Sequence, residues 1–231
     1  MRVSESSLPG AGNDSRQNNP SCPLAMLRIR PHFAFCLLAL AATPVAQAVD
    51  GTITINGEIT DQTCKINGNP PPYNFIVNLP KISTSALKNV NDTAGATAFS
   101  IKVTDCPATL TGDIKAYFEP GASTDYEHGY LHAYSESAAK TTAAADIPSL
   151  VGKTPATNVA FQLANLDGTP IKIGVAPADQ GALGQTLAAT STSDTKKTAT
   201  LRYLVRYIKS GTGNIAAGKL VSYVQYSIVY P

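Results

Sequence analysis

Residues 220–231 read LVSYVQYSIVYP, and the fold turns on how that stretch is satisfied. Val221, Tyr223 and Gln225 alternate on one parity, and Tyr226, Ile228 and Tyr230 alternate on the other. Period-two placement of β-branched and aromatic residues is the mark of a strand. A change of parity within one run predicts a β-bulge or a strand buried on both faces. So apolar a segment belongs in the middle of a sheet or against a core, yet only Pro231 follows Tyr230. With no later strand to pair with, an unpaired edge and an exposed apolar groove are expected, both costly in water.

The same alternation recurs upstream. It runs through Phe75, Val77 and Leu79; Phe99, Ile101 and Val103; Ile114, Ala116 and Phe118; Val159, Phe161 and Leu163; and Leu201, Tyr203, Val205 and Tyr207. Connectors separate these runs. Asn67 to Pro72, with three consecutive prolines, is expected to hold no regular structure. Ser135 to Pro155, rich in Ala, Ser and Thr, reads as a long excursion or a short helix plus loop, and Lys209 to Asn214 reads as a turn. Eight or so strands spaced in this way predict an all-β chain folded as one immunoglobulin-like β-sandwich.

The beginning of the chain reads differently. Residues 26–48, MLRIRPHFAFCLLALAATPVAQA, place Arg28 and Arg30 ahead of a ten-residue apolar run, Phe33 to Ala42. Ala46-Gln47-Ala48 then supplies the small-x-small cleavage pattern. That order predicts a secretory signal peptide, too short in its apolar part to remain as an anchor. Residues 1–25 are polar and aperiodic. They are expected to be a start-site overcall with the true start at Met26, the rival being a genuine leader extension.

The expected mature chain, 49–231, has 183 residues. The formal charge of +2 belongs to the leader: removing Arg2, Arg16, Arg28, Arg30, Glu5 and Asp14 leaves 14 cationic and 14 acidic residues. Neutrality and a charged fraction of 15%, against about 25% in ordinary domains, argue against nucleic-acid binding. Of four cysteines, Cys22 and Cys36 leave with the leader, so Cys64 and Cys106 remain and are expected to pair in an oxidising compartment. Their separation fits neither a redox CxxC pair nor a zinc site.

Catalytic chemistry is sparse. His128 and His132 share the spacing of HExxH, but Gly129, Tyr130 and Leu131 stand between them and the flanks read as strand or loop, so no metal site is expected. No serine lies in a GxSxG elbow, and Asp125 and Glu127 read as a solvated turn. No catalytic residues, metal or cofactor are assigned, and a secreted enzyme is the weakest of the readings.

The two ends carry the family signal. The mature N-terminus reads VDGTITINGEITDQTC, with Ile53, Ile55, Gly57 and Ile59 on one face; taken alone it is an ordinary first strand. Together with Asn56-Gly57-Glu58, Cys64 and Cys106, LPKISTSAL (79–87), TAGATAFSIKVTDC (93–106), Gly218 and the penultimate Tyr230, it makes the whole mature chain resemble the structural pilins of the chaperone–usher pathway. The Pro70–Pro72 insertion and residues 1–25 depart from that pattern.

The resemblance implies an incomplete immunoglobulin-like sandwich lacking its last strand, with residues 49–60 as a donor arm and 61–231 as the pilin domain. It implies that Ile53, Ile55, Gly57 and Ile59 form the donor face, with Gly57 over a shallow place in the groove. Gly218, Tyr226, Ile228 and Tyr230 then line the groove and meet the chaperone. The implied partners are identical or related subunits joined head to tail, a periplasmic chaperone, an outer-membrane usher and a host-surface receptor, with no nucleic acid. The implied location is a bacterial surface fimbria reached through the periplasm. A tip adhesin and a self-complemented binding module remain as alternatives.

Overall fold

Twelve strands and a single turn of 3₁₀ helix carry the computed structural model, which describes residues 53–59, 64–190 and 195–231. The expectations for 1–25 and 26–48 lie outside the described residues. The chain divides into two units, Met1–Gly57 and Glu58–Pro231. In the first, Ile53 to Gly57 belong to no helix, strand or turn.

In chain order the strands are β1 (Lys65–Ile66), β2 (Thr93–Pro107), β3 (Asp113–Glu119), β4 (Thr124–Asp125), β5 (Tyr130–Glu136), β6 (Pro155–Asn165), β7 (Pro170–Ile171), β8 (Gln185–Thr186), β9 (Ala188–Ala189), β10 (Lys196–Ile208), β11 (Lys219–Val221) and β12 (Gln225–Val229). The 3₁₀ turn, Thr84–Ala86, is capped by Ser83, whose side chain accepts the Ser85 N–H. The larger sheet runs β1-β2-β10-β6-β5-β11, and the smaller runs β12-β3-β8. All pairings are antiparallel. No α-helix occurs among the described residues.

The two sheets face each other across one core, as in an immunoglobulin-like sandwich. Its inward residues are those the alternation selects: Ile101 and Val103 from β2, Ile114, Ala116 and Phe118 from β3, Leu201, Tyr203 and Val205 from β10. Phe99, Phe118 and Tyr203 pack edge to face or tilted, with ring centroids 5.3–6.4 Å apart. Cys64 and Cys106 form a disulfide inside this core, closing the expected 42-residue separation.

Three connectors are better specified than the sequence suggested. Asn67-Gly68 is a tight hairpin turn, not irregular chain: Ile66 and Asn69 exchange both main-chain hydrogen bonds at 2.8 and 2.9 Å. Asn67 and Gly68 take φ of 48° and 80°, the left-handed pair such a turn requires. The stretch after β5 is a plain excursion with no helix, tied where it leaves β5 by Glu136, which pairs with Lys140 at 3.1 Å and Lys153 at 2.6 Å. The parity change near the C-terminus is neither a bulge nor a doubly buried strand. β11 pairs β5 in the larger sheet, the chain breaks over 222–224, and β12 pairs β3 in the smaller. The segment crosses from one sheet to the other, so its inward face inverts.

Candidate functional site

Between residues 71–84 and the C-terminal segment 215–230 lies a cleft of about 1240 Å³. Its floor is core: Phe99, Ile101, Phe118, Leu131, Phe161, Leu163, Val205 and Tyr207. One rim is the segment Tyr73 to Leu79. Its odd-numbered residues are half-buried and its even-numbered ones exposed, so it has the side-chain pattern of a strand. Yet among the described residues its main chain makes no backbone hydrogen bond and enters no ladder. The other rim is β12, which pairs β3 along one edge and nothing along the other among the described residues. Two free edges therefore flank an apolar floor, which is the arrangement that accepts an added strand.

The rims touch at Tyr226. The Tyr226 hydroxyl donates to the Tyr73 carbonyl at 2.8 Å, and the Phe75 and Tyr226 rings meet edge to face at 5.9 Å. Burial, with Tyr73 adding a smaller push, raises the Tyr226 phenol above its ordinary range, so the hydroxyl keeps its donor proton. Near the other end of β12 the Cys64 N–H donates to the Tyr230 hydroxyl at 3.4 Å, beside the disulfide.

The structure places the residues singled out from the sequence as follows. Tyr226, Ile228 and Tyr230 are half-buried and share one face of the C-terminal segment, lining the cleft. Gly218 lines it just before β11, with open space where a side chain would stand. Ile53 and Ile55 are each 89% exposed and Ile59 is fully exposed. Gly57 also has open space around it.

His128 is held in a turn. Its N–H and that of Glu127 donate to Asp125 Oδ1 at 3.2 and 3.1 Å, and Nδ1 lies 2.9 Å from Asp125 Oδ2. Although burial pushes the Asp125 carboxyl up, the His128 contacts outweigh it and hold the group below its ordinary value. Among the described residues no three His, Cys, Asp or Glu side chains gather as a metal site would require.

Sequence reasoning read Phe75, Val77 and Leu79 as a strand but missed that this strand is a rim, and it missed Tyr73. It also missed that the excursion after β5 reaches the cleft through Ala138–Lys140 and Thr142–Ile147. Two buried amides escaped notice as well. Gln180 donates to the Phe118 carbonyl and accepts the Phe118 N–H, both at 2.9 Å, standing in for a ladder partner of β3. Asn165 binds Gly181 O and Leu183 N in the same two-handed way. A single amide, whether in a loop as Gln180 or at the end of β6 as Asn165, carries no periodic signal, so nothing in the pattern could have found them.

Comparison with known proteins converges on one family. The family model described as type-1 fimbrial protein, A, matches residues 79–231. The serotype 3 fimbrial subunit of Bordetella pertussis is 44% identical over 198 residues, covering 84% of this chain and 94% of that one. The major fimbrial subunit SMF-1 of Stenotrophomonas maltophilia is 36% identical, covering 83% and 99%. Among solved structures, the P pilus rod subunit PapA aligns at 14% identity with a TM-score of 0.44, over 78% of this chain and 100% of that one.

Proposed function

The chain belongs to the type-1 fimbrial protein family, and from that premise we propose that it is a repeated fimbrial subunit polymerising by strand donation through the cleft between residues 71–84 and β12. The family is one of structural fimbrial proteins. The observation that carries the reading is the pair of free rim edges over an apolar floor. An extended segment laid there gains main-chain hydrogen bonds on both sides and buries alternate side chains; chaperone–pilin pairing is a known instance of such strand addition.

The donor is the arm 49–60 of a neighbouring subunit. Ile53, Ile55 and Ile59 are strongly exposed where they stand, so each has nearly its full burial energy left to gain. At about 1.5–3 kcal/mol per side chain, three give on the order of 5–9 kcal/mol before the cost of ordering the arm. Gly57 is assigned to a position in the accepting cleft that has no room for a side chain. Because the donating and accepting surfaces differ, the contact is head to tail and builds an open filament. Before assembly a periplasmic chaperone fills the same cleft along β12, contacting Tyr226, Ile228 and Tyr230, and an outer-membrane usher exchanges it for the arm.

The test uses the exported chain lacking residues 49–60. Mixed with a synthetic peptide of that sequence, it should bind one peptide per chain and remain monomeric on size exclusion. No binding, or spontaneous polymerisation of the armless chain, would overturn the assignment.

A further inference from the structure

The sequence holds two Asn-Gly pairs, and they stand in opposite settings. Asn67-Gly68 is locked. Asn67 Oδ1 accepts the Lys102 N–H at 3.0 Å, its own N–H donates to Lys102 O at 2.7 Å, and its carbonyl accepts from Asn69 Nδ2 at 3.1 Å. The Ile66–Asn69 pair clamps the turn on either side. Asn56-Gly57 has none of this. Asn56 is exposed, lies in no regular element and makes no hydrogen bond among the described residues, and nothing lies within 4 Å of the place a Gly57 Cβ would occupy.

We propose that Asn56-Gly57 is a self-modification site that marks subunits left unassembled. The Gly57 main-chain nitrogen, its proton lost to solvent base, attacks the Asn56 side-chain amide carbon. A C–N bond forms, the C–Nδ2 bond breaks, and Nδ2 leaves with a solvent proton as ammonia. The resulting five-membered imide is opened by water at either carbonyl, giving aspartate or isoaspartate at position 56. Glycine is the residue whose nitrogen is least hindered for this attack, and a free chain can reach the ring-closing geometry that a laddered one cannot. At Asn67 the side chain is held away by Lys102 and the main chain is fixed at φ 48°.

The consequence for assembly rests on the strand-donation reading above. Isoaspartate routes the main chain through the side-chain methylene and adds one atom between positions 56 and 57. The pleat then falls out of step, and Ile59 no longer shares a face with Ile53 and Ile55. An arm already seated in a cleft is held extended by main-chain bonds on both sides and is protected.

Peptide mass mapping tests both parts, because Lys65 lies between the two motifs and trypsin separates them. The purified full chain is incubated in mildly alkaline, amine-free buffer, sampled over days, reduced and digested. The peptide ending at Lys65 should gain one mass unit progressively and Asn56→Gln should abolish the gain, while Ile66–Lys81 stays unchanged until denaturant is added. Equal conversion of both peptides in the folded protein, or none in the first, would overturn the site. Assembled fibres treated alongside should convert more slowly than free subunits. Conversion at equal rates in fibres and free subunits would sink the seated-arm account while leaving the modification site standing.

Discussion

Tyr226 reaches across the cleft to Tyr73, its hydroxyl donating to that residue's main-chain carbonyl at 2.8 Å. The bond occupies an acceptor that an inserted strand would otherwise use. The closed end of the cleft is therefore satisfied by a side chain until a donor displaces it. Tyr226→Phe removes the donor and keeps the Phe75 contact. It should lower the stability of the empty subunit by about 0.5–1.5 kcal/mol and speed uptake of the 49–60 peptide. Thermal melts and stopped-flow binding check the two signs; slower uptake would mean that the hydroxyl guides the strand and does not block it.

Ile55→Asp places a charge in the middle of the proposed donor face. Burying it unpaired is prohibitive, so polymerisation should fall to background. The cleft is untouched, so capture by the chaperone should remain at the level of the unchanged protein. Polymer yield on gels and chaperone co-purification are the two readouts, and normal polymer yield would remove residue 55 from the contact.

Gln180→Leu leaves the Phe118 N–H and carbonyl without partners inside the core. Each stranded group costs about 1–3 kcal/mol, so roughly 2–6 kcal/mol of stability should be lost in denaturant titration. Hydrogen exchange at the Phe118 amide should accelerate ahead of the rest of β3.

Asp125 supplies a pH signature. Its carboxyl is held below its ordinary value by His128, against the push of burial, so the folded state favours the ionised form. That contribution is complete above the unfolded value of about 3.9 and disappears as pH falls through the lower folded value. Asp125→Asn should flatten this part of the acid limb of melting temperature against pH. An unchanged acid limb would show that another carboxyl dominates.

How much of this was legible depended on whether a feature repeats along the chain. β2, β3 and β10 bury alternate residues against one core, and period two is visible in Phe99-Ile101-Val103 or Leu201-Tyr203-Val205 without any coordinates, whereas β6 is buried on both faces from Val159 to Asn165. The disulfide was legible because two cysteines remain once the leader is set aside. Of the two-residue strands, β4, β7, β8 and β9 were not, since a pair of residues cannot show a period. The rim formed by Tyr73 to Leu79 was legible as a strand but not as an unpaired one, because alternation reports which way side chains point and not what the main chain bonds to. The parity change at Gln225–Tyr226 was seen but misassigned. A bulge and a switch of sheet both invert the inward face, and only the partners, β5 for β11 and β3 for β12, separate them.

That switch has a mechanical outcome. If a strand is seated in the cleft as proposed, it lies along β12, so a pull on it loads the hydrogen bonds of that rim in shear, all together, instead of peeling them one after another. Because β12 continues through residues 222–224 into β11, the same force passes into the larger sheet as well, and failure of the smaller ladder alone does not release the load. In a filament assembled by the proposed donation, the accepting side of each joint is thereby anchored in both sheets of its subunit.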